Sequence, residues 1–321
     1  MAIETTHDCV VVGAGPAGLT AAIYLARFRR KVLVIDAGSS RAAWIPKSHN
    51  YPGFPEGIGG KTLLARMRRQ AEQYGTRIVS GNVSKLKVLK TAFRLKTAEG
   101  TLAARKVILA TGVIDNEPAV PGFEAAVMDG LIRVCPICDG YEVIGKSVGV
   151  IGADDHGGHE ARSLTTYSDN VWLIHTGPLA ALSQEERKRL MAAGVRIIET
   201  PIERVVLDRR RIAGLCFSPG ELRQFDALYA GLGITPRAGL AVDASAKLDA
   251  EGRPLVGAHQ ETSVAGLYAV GDVVRGLNQI STAQGEGAIA ATDIHNSLRQ
   301  ATRLTSGTRS RAPPLANKPG A

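Results

Sequence analysis

A strand, a tight glycine turn and a helix in direct succession occur twice in this 321-residue chain, and no other feature limits its fold as much. The first copy runs from Asp8-Cys9-Val10-Val11-Val12 into Gly13-Ala14-Gly15-Pro16-Ala17-Gly18 and on through Leu19 to Ala26. Gly13, Gly15 and Gly18 permit the turn, let backbone approach a pyrophosphate and let the helix pack on the strand. The helix N-terminus then receives the phosphate charge. A second strand, Lys31 to Ile35, ends in Asp36, about 20 residues beyond the turn, where a ribose hydroxyl is held. The second copy is Ser147 to Ile151, the turn Gly152-Ala153-Asp154-Asp155-His156-Gly157, a helix from about Gly158 to Tyr167 and a strand Asn170 to His175. Two copies of one nucleotide-binding unit predict an α/β fold of two Rossmann-like three-layer domains.

Between the copies, Lys61 to Tyr74 has the spacing of an amphipathic helix, and Ile78 to Val88 and Ala92 to Thr97 alternate as strands. Glu99-Gly100 reads as a hairpin turn into Leu102 to Ala110, which predicts a parallel sheet with an antiparallel addition. Breaks follow at Asn116-Glu117-Pro118 and Pro121-Gly122. After the second copy, Ser183 with Glu186 reads as a capping box for a helix to Ala193, followed by the strand Val195 to Ile198 and a meander to Ala230. The chain leaves this domain at Gly233-Ile234-Thr235-Pro236. Gly266 to Asp272 reads as a strand whose end points an acid at a ligand, with a helix Gln284 to Leu298 behind it. This last part has no glycine-rich turn of its own and is assigned to the first domain, which becomes discontinuous. The expected division is 1–116 with 240–304 as one domain, 117–239 as the other, and 305–321 as a disordered basic tail rich in Gly, Ser, Pro, Arg and Lys.

Cys135-Pro136-Ile137-Cys138-Asp139 carries the chemistry. Two cysteines separated by two residues can close a small disulfide, and a neighbouring carboxylate can manage the protons of thiol–disulfide exchange. A structural zinc site needs two further close ligands, whereas Cys9 and Cys216 each stand alone in apolar runs, as buried hydrophobes do. No metal is expected; an inert surface pair is the remaining alternative to redox chemistry. With 45% hydrophobic and 21% charged residues there is material for two cores. No apolar run approaches the ~20 residues of a membrane span, and Glu4 and Asp8 do not suit a secretory signal, so the expected compartment is the cytoplasm. There a disulfide is more often catalytic than structural. The net charge of +9 is spread over short runs such as Arg27 to Lys31 and Arg209 to Arg211 without aromatic interleaving, so no nucleic-acid partner is expected. It can still steer an acidic protein partner.

From Asp8 to Leu298 the chain resembles the low-molecular-weight thioredoxin reductases, FAD-containing members of the pyridine-nucleotide disulfide oxidoreductases. The resemblance lies in the order and spacing of Gly13 to Gly18, Asn50-Tyr51-Pro52-Gly53, Ala110-Thr111-Gly112, Cys135 to Gly140, and Gly271-Asp272 with Gln279-Ile280. It implies FAD in the first unit, with Gly13, Gly15, Pro16, Ala17 and Gly18 at the pyrophosphate, Asp36 at the adenosine ribose and Val83 at the adenine through its backbone. Asn50 would lie on the flavin side, Asp272 with Gln279 and Ile280 at the ribityl chain and ring, and Thr111, Gly112 and Gly271 complete the cofactor set. The resemblance further implies that Cys138 lies against the flavin, that Cys135 attacks a substrate disulfide, and that Asp139 supplies and collects protons if poor solvation raises its pKa. A thioredoxin-like protein or a small dithiol or disulfide is the implied substrate. A homodimer is implied too, with a second domain that swings about Asn116 to Pro118 and Gly233 to Pro236.

The second nucleotide unit departs from the family. Asp154 stands where the second glycine of the turn belongs, beside Asp155; a side chain blocks close approach and its charge repels pyrophosphate. After His175 the chain has Thr176-Gly177-Pro178-Leu179 instead of an arginine-rich segment for the extra phosphate of NADPH. Arg162, Arg187 or Lys188, or more weakly His156, His159 or His175, could substitute, although surface and packing roles suit these histidines better. NADPH is thus left undecided. Ser39-Ser40-Arg41 replaces the family's glycine-pair-and-glutamine segment, and Arg41 could neutralise FAD phosphates. The small-molecule dithiol oxidases of gliotoxin and holomycin type are similar in Cys135-Pro136-x-Cys138 and Gly140-Tyr141-Glu142, but usually have His where Asp139 stands. The leading expectation is a disulfide reductase acting on thioredoxin or a similar small protein. The alternatives are a dithiol oxidase that passes electrons to oxygen and a non-catalytic redox sensor.

Overall fold

The computed structural model describes residues 7–118, 120–128, 131–208 and 211–305. Its first sheet contains β1 (His7–Val12), β2 (Val32–Asp36), β3 (Arg77–Ser80), β4 (Lys85–Val88), β5 (Phe93–Thr97) and β6 (Gly100–Leu109), in the order β3-β2-β1-β6-β5-β4. β1 lies at the centre and pairs in parallel with β2 and β6, while β4, β5 and β6 are antiparallel neighbours. Successive side chains of a strand point to opposite faces, so β1 feeds two cores. Cys9 and Val11 pack with Leu25 of α1 (Pro16–Arg27) and Met67 of α2 (Gly60–Gln73); Val10 and Val12 pack with Phe93, Leu95 and Leu240.

The expectation of one alternating stretch from Ile78 to Val88 needs correction. The chain leaves β3 at Ser80, and β3 and β4 lie at opposite edges of the sheet. Alternation records which side chains face a core, not which edge the strand joins.

β7 (Val113–Asp115), α3 (Phe123–Met128), β8 (Ile132–Arg133) and α4 (Pro136–Asp139) lead to the second sheet. There β9 (Val148–Gly152), α5 (Asp155–Leu164), β10 (Val171–His175), α6 (Gln184–Ala192) and β11 (Arg196–Ile198) repeat the strand–helix theme. A three-stranded meander follows, made of β12 (Ile202–Asp208), β13 (Arg211–Phe217) and β14 (Glu221–Arg223), and then β15 (Ala227–Gly231). The sheet runs β11-β10-β9-β15-β8, all parallel. Its central strands β9, β10 and β15 are almost wholly buried, as a sheet covered on both faces requires. Ser183 caps α6 by accepting from the Glu186 N–H at 3.2 Å, one half of the expected capping box, while the Ser183 N–H goes to Asp155 Oδ1 instead of the Glu186 side chain.

β16 (Ile234–Pro236) returns antiparallel to β7, so the two crossings between the sheets lie side by side. Asn116 ties them: its N–H donates to Gly233 O at 3.0 Å and its side chain accepts from Thr235 Oγ1 at 2.8 Å. After α7 (Gly239–Asp243), β17 (Leu267–Ala269) adds in parallel to β6, and α8 (Ile280–Thr305) packs on α1. The fold is therefore α/β with two Rossmann-like units, the first assembled from both ends of the described chain. Three helix starts differ from expectation by about a turn. α1 begins at Pro16, ahead of Leu19. α8 begins at Ile280, a turn before Gln284, and runs past Leu298; its Gly287 lies so close to α1 that a Cβ would meet Ala17 O at 2.4 Å. α5 begins at Asp155, ahead of Gly158, because Asp154 caps it. Among the described residues no helix is long and apolar enough to cross a membrane. The expected tail beyond Thr305 lies outside the described residues.

Candidate active site

A cavity of about 1140 Å³ opens at the C-terminal ends of β1, β2 and β6 and extends to the disulfide that joins Cys135 and Cys138. Small-molecule sites commonly span about 300–1,000 Å³, so this one has room for a dinucleotide. Every cofactor residue expected from the sequence lines it except Gly18, and Cys135, Cys138 and Asp139 line it too.

The glycines divide by what they meet. Gly13 has φ +106°, and a Cβ there would lie 2.2 Å from Ala110 O; at Gly18 a Cβ would lie 2.0 Å from Gly13 O. Both are required by strand, turn and helix packing. Gly15 has no such neighbour: its Cβ would approach nothing closer than Ser40 Oγ at 3.4 Å. It is the N-cap of α1, with Pro16 as first helical residue and Ala17 beneath, so the unpaired amides of the helix face open space. An anion is what such a terminus receives, and this bare cradle fits the pyrophosphate of FAD.

Asp36, at the expected ribose position, is paired with Arg68 of α2 and accepts from the Gly38 N–H at 3.1 Å. Val83 is buried at the cavity wall. Thr111 Oγ1 donates to Arg237 O at 2.8 Å, and Gly112 O accepts from the Arg237 N–H at 3.0 Å. Gly271 has φ +76°, and its N–H donates to Glu286 Oε2 at 2.6 Å, which fixes the turn that presents Asp272. Arg41 sits between two carboxylates: it is bidentate on Asp115, at 2.6 and 2.8 Å, and lies 3.6 Å from Asp272. Burial pushes the Asp272 carboxyl up and Arg41 opposes that rise. Asp115, Arg68 and Glu286 carry no signal in the sequence.

Cys135 is the N-cap of α4, Pro136 its first residue, and the Cys138 N–H donates to Cys135 O at 3.0 Å. The amide of Gln279, on the approach to α8, donates from Nε2 to both sulfurs, at 3.3 Å for Cys135 and 3.4 Å for Cys138. Asn50 Nδ2 donates to Gln279 Oε1 at 2.9 Å and to Ile137 O at 3.2 Å. Asp139 accepts from the Tyr229 hydroxyl at 2.8 Å and pairs with Arg133 at 3.1 Å. Burial nonetheless raises its carboxyl above the usual range, with Arg133 and Tyr229 pulling the other way and Glu142 adding to the rise. A carboxyl raised in this way holds and returns a proton more readily than an ordinary carboxylate. Neither Arg133 nor Tyr229 was identifiable beforehand, since a basic residue near the cysteines and a tyrosine on a buried strand are ordinary features.

The turn of the second unit is built differently. Asp154 Oδ1 accepts from the His156 N–H at 3.0 Å and so occupies the end of α5 itself. Asp155 Oδ1 accepts from the Ser183 N–H at 2.6 Å, which holds its carboxyl below the ordinary value. Of the candidate replacement cations, Arg162 pairs with Glu186, Arg187 with Glu199 and His156 with Glu160, while Lys188 is exposed on α6. His159 Nδ1 lies 3.1 Å from Arg162. His175 is buried and meets Pro178 O at 3.0 Å. The Asp154 and Asp155 carboxylates at this turn do not fit the pyrophosphate of a nicotinamide dinucleotide.

The family model described as pyridine nucleotide-disulphide oxidoreductase matches residues 7–287. The chain belongs to that family. Thioredoxin reductase of Treponema pallidum (strain Nichols) is 31% identical over 298 residues, covering 90% of this chain and 96% of its own. The solved thioredoxin reductase from Streptococcus pyogenes MGAS5005 superposes with a TM-score of 0.84 at 28% identity, over 92% of this chain and 98% of that one. HlmI does so with a TM-score of 0.81, also at 28% identity, over 95% and 99%. The protein is a thioredoxin reductase-like, FAD-dependent disulfide oxidoreductase.

Proposed function

We propose that Cys135 and Cys138 carry two electrons between FAD in the first domain and an external thiol or disulfide, with a thioredoxin-like protein as the substrate reduced. The observation that supports this most is that the disulfide opens on the same cavity as the bare glycine cradle. When bound, FAD supplies the two-electron donor and acceptor. The chain supplies the rest. Gly13, Gly15, Pro16, Ala17 and Gly18 hold the pyrophosphate, Asp36 the ribose, Val83 the adenine, and Asn50, Thr111, Gly112, Gly271, Asp272, Gln279 and Ile280 the flavin side. Arg41 holds Asp115 and Asp272 together and offsets negative charge in the cavity.

In the exchange, the Cys135 thiolate attacks a substrate disulfide and Cys138 then closes on Cys135, releasing the substrate as a dithiol. Asp139, ringed by Arg133 and Tyr229, supplies a proton to the departing sulfur. The domain division is taken as 1–116 with 240–304 against 117–239, and β7 and β16 are the paired hinge about which the second domain swings to expose Cys135. The names of the relatives support thioredoxin as partner, and the family resemblance a homodimer in the cytoplasm.

A second reading is favoured by one observation. The Asp154 cap and the neighbouring Asp155 oppose a pyrophosphate at α5, which suits a dithiol oxidase that takes electrons from its substrate and passes them to oxygen. One experiment separates the two. FAD-loaded protein is mixed anaerobically with NADPH, NADH, a reduced ferredoxin or a dithiol, and flavin bleaching is followed. A reductase is bleached by one of the first three; an oxidase is bleached only by the dithiol and forms peroxide on admission of air. Bleaching by none would refute both.

A further inference from the structure

We propose that Ser48, Asn50 and Gln279 form a positioning relay that aims one amide N–H at the Cys135–Cys138 sulfurs and stabilises the thiolate left when the disulfide opens. This rests on the disulfide being the redox group proposed above. A glutamine amide can present either its oxygen or its nitrogen, and here its neighbours decide. Asn50 Nδ2 donates to Gln279 Oε1 at 2.9 Å, which leaves Nε2 for the sulfurs at 3.3 and 3.4 Å. Asn50 is itself oriented: its Oδ1 accepts from Ser48 Oγ at 3.0 Å, and its Nδ2 also donates to Ile137 O at 3.2 Å. Ser48 is 3% exposed and anchored by reciprocal backbone bonds with Ile58, at 2.9 and 3.0 Å. Turning Gln279 over would set its N–H groups against those of Asn50 and bring its oxygen, now 3.7 Å from Cys138 Sγ, closer to the sulfur lone pairs.

A disulfide sulfur is a weak acceptor, and a thiolate is a strong one, so the same N–H contributes far more after reduction. When a substrate dithiol reduces the pair, its first thiolate attacks Cys135 Sγ. The Cys135–Cys138 bond breaks, and its electron pair leaves on Cys138 as a thiolate. The second substrate thiolate then attacks the substrate sulfur joined to Cys135, closing the substrate disulfide and returning an electron pair to Cys135, which takes a proton. Two electrons enter the pair and two protons leave the substrate, one to Cys135 and one to solvent by way of Asp139. Gln279 meets the sulfur that keeps the charge.

The test uses the FAD-containing protein reduced with dithiothreitol, with cysteine alkylation followed against pH by mass spectrometry and the disulfide titrated against a dithiothreitol buffer. Gln279→Leu should lower the acid dissociation constant of the more acidic thiol about tenfold. It should also shift the titration about tenfold towards disulfide, or about 30 mV. Gln279→Glu, of similar size but facing the sulfur with a carboxylate, should shift both further the same way. Ser48→Ala, which only loosens the relay, should give a smaller shift in that direction. A merely structural role would not produce this ordering. Equal thiol acidities in wild type, Leu and Glu variants would overturn the proposal. Should those variants not fold, the wild-type protein decides: its Gln279 side-chain amide signal must move on reduction, and an unmoved signal overturns the relay. Failure of the redox reading itself would show differently, as a wild-type disulfide that dithiols open without any exchange of electrons with the flavin.

Discussion

Replacing Gly13 and Gly15 in turn by alanine should separate a glycine that the fold needs from one that the cofactor needs. At Gly13 the added Cβ would sit 2.2 Å from Ala110 O and 2.9 Å from its carbonyl carbon, on a backbone with φ +106°. A side chain held at positive φ costs about 1–3 kcal/mol, and overpacking of a tight site adds about 1–3 kcal/mol. The sum, about 2–6 kcal/mol, is a large share of the roughly 5–15 kcal/mol that holds a domain together. At about 2–4 °C per kcal/mol, the melting temperature of the FAD-free protein should fall by at least about 4 °C. Gly15 has φ −74°, and its Cβ would make only an ordinary contact, at 3.4 Å from Ser40 Oγ. Alanine is a poorer N-cap by roughly half a kcal/mol, so the FAD-free melting temperature should move by no more than about 2 °C. Yet that Cβ projects where backbone must meet phosphate, and one lost bond to a charged group, about 1.5–3 kcal/mol, should weaken FAD binding about 10- to 150-fold. Thermal scans of stripped protein and FAD titration by flavin fluorescence measure both quantities. An unchanged melting temperature for Gly13→Ala, or unchanged FAD affinity for Gly15→Ala, would refute the division.

Asp139→Asn should slow thiol–disulfide turnover about 10²- to 10⁴-fold and remove the fall of rate with rising pH that ionisation of this proton-donating carboxyl produces; a variant that keeps that limb would show that the proton comes from elsewhere. The same change has a stability signature. Because burial raises the Asp139 pKa, ionisation works against folding: the penalty is absent below the unfolded carboxylate value of about 3.9 and fully present above the folded value. Asparagine cannot ionise, so its melting temperature relative to wild type should climb as pH rises through that window, and a flat difference would contradict the assignment. Cys9 is fully buried and its burial holds the thiol protonated well above the ordinary range. Iodoacetamide at neutral pH should therefore modify Cys135 and Cys138 of the reduced native protein and leave Cys9 untouched until the chain is unfolded; early labelling of Cys9 would show that the first core opens.

The glycine cradle and the redox pair were readable in the chain because each is local. The turn, its strand and its helix are contiguous, and Cys135 and Cys138 lie within one turn of α4. The capping box at Ser183 is equally local. The Asp154 cap is no part of the sequence reading, which starts α5 at about Gly158, downstream of the observed Asp155.

What surrounds the chemistry was not readable, because it is made by residues far apart in sequence. Tyr229 reaches Asp139 from the middle of the buried strand β15, and Gln279 reaches the sulfurs from the approach to α8. Arg41, on the cavity wall, meets Asp115 from 74 positions away. No spacing rule joins such positions; strand order does, and β3 and β4, close in sequence yet at opposite sheet edges, show how little alternation says about it. The chain's own order of residues determined that a dinucleotide and a redox disulfide are present, since each needs only a short run of backbone. Tertiary structure decided which side chains hold the proton and orient the sulfurs, since those contacts exist only once two sheets bring distant segments within hydrogen-bonding distance.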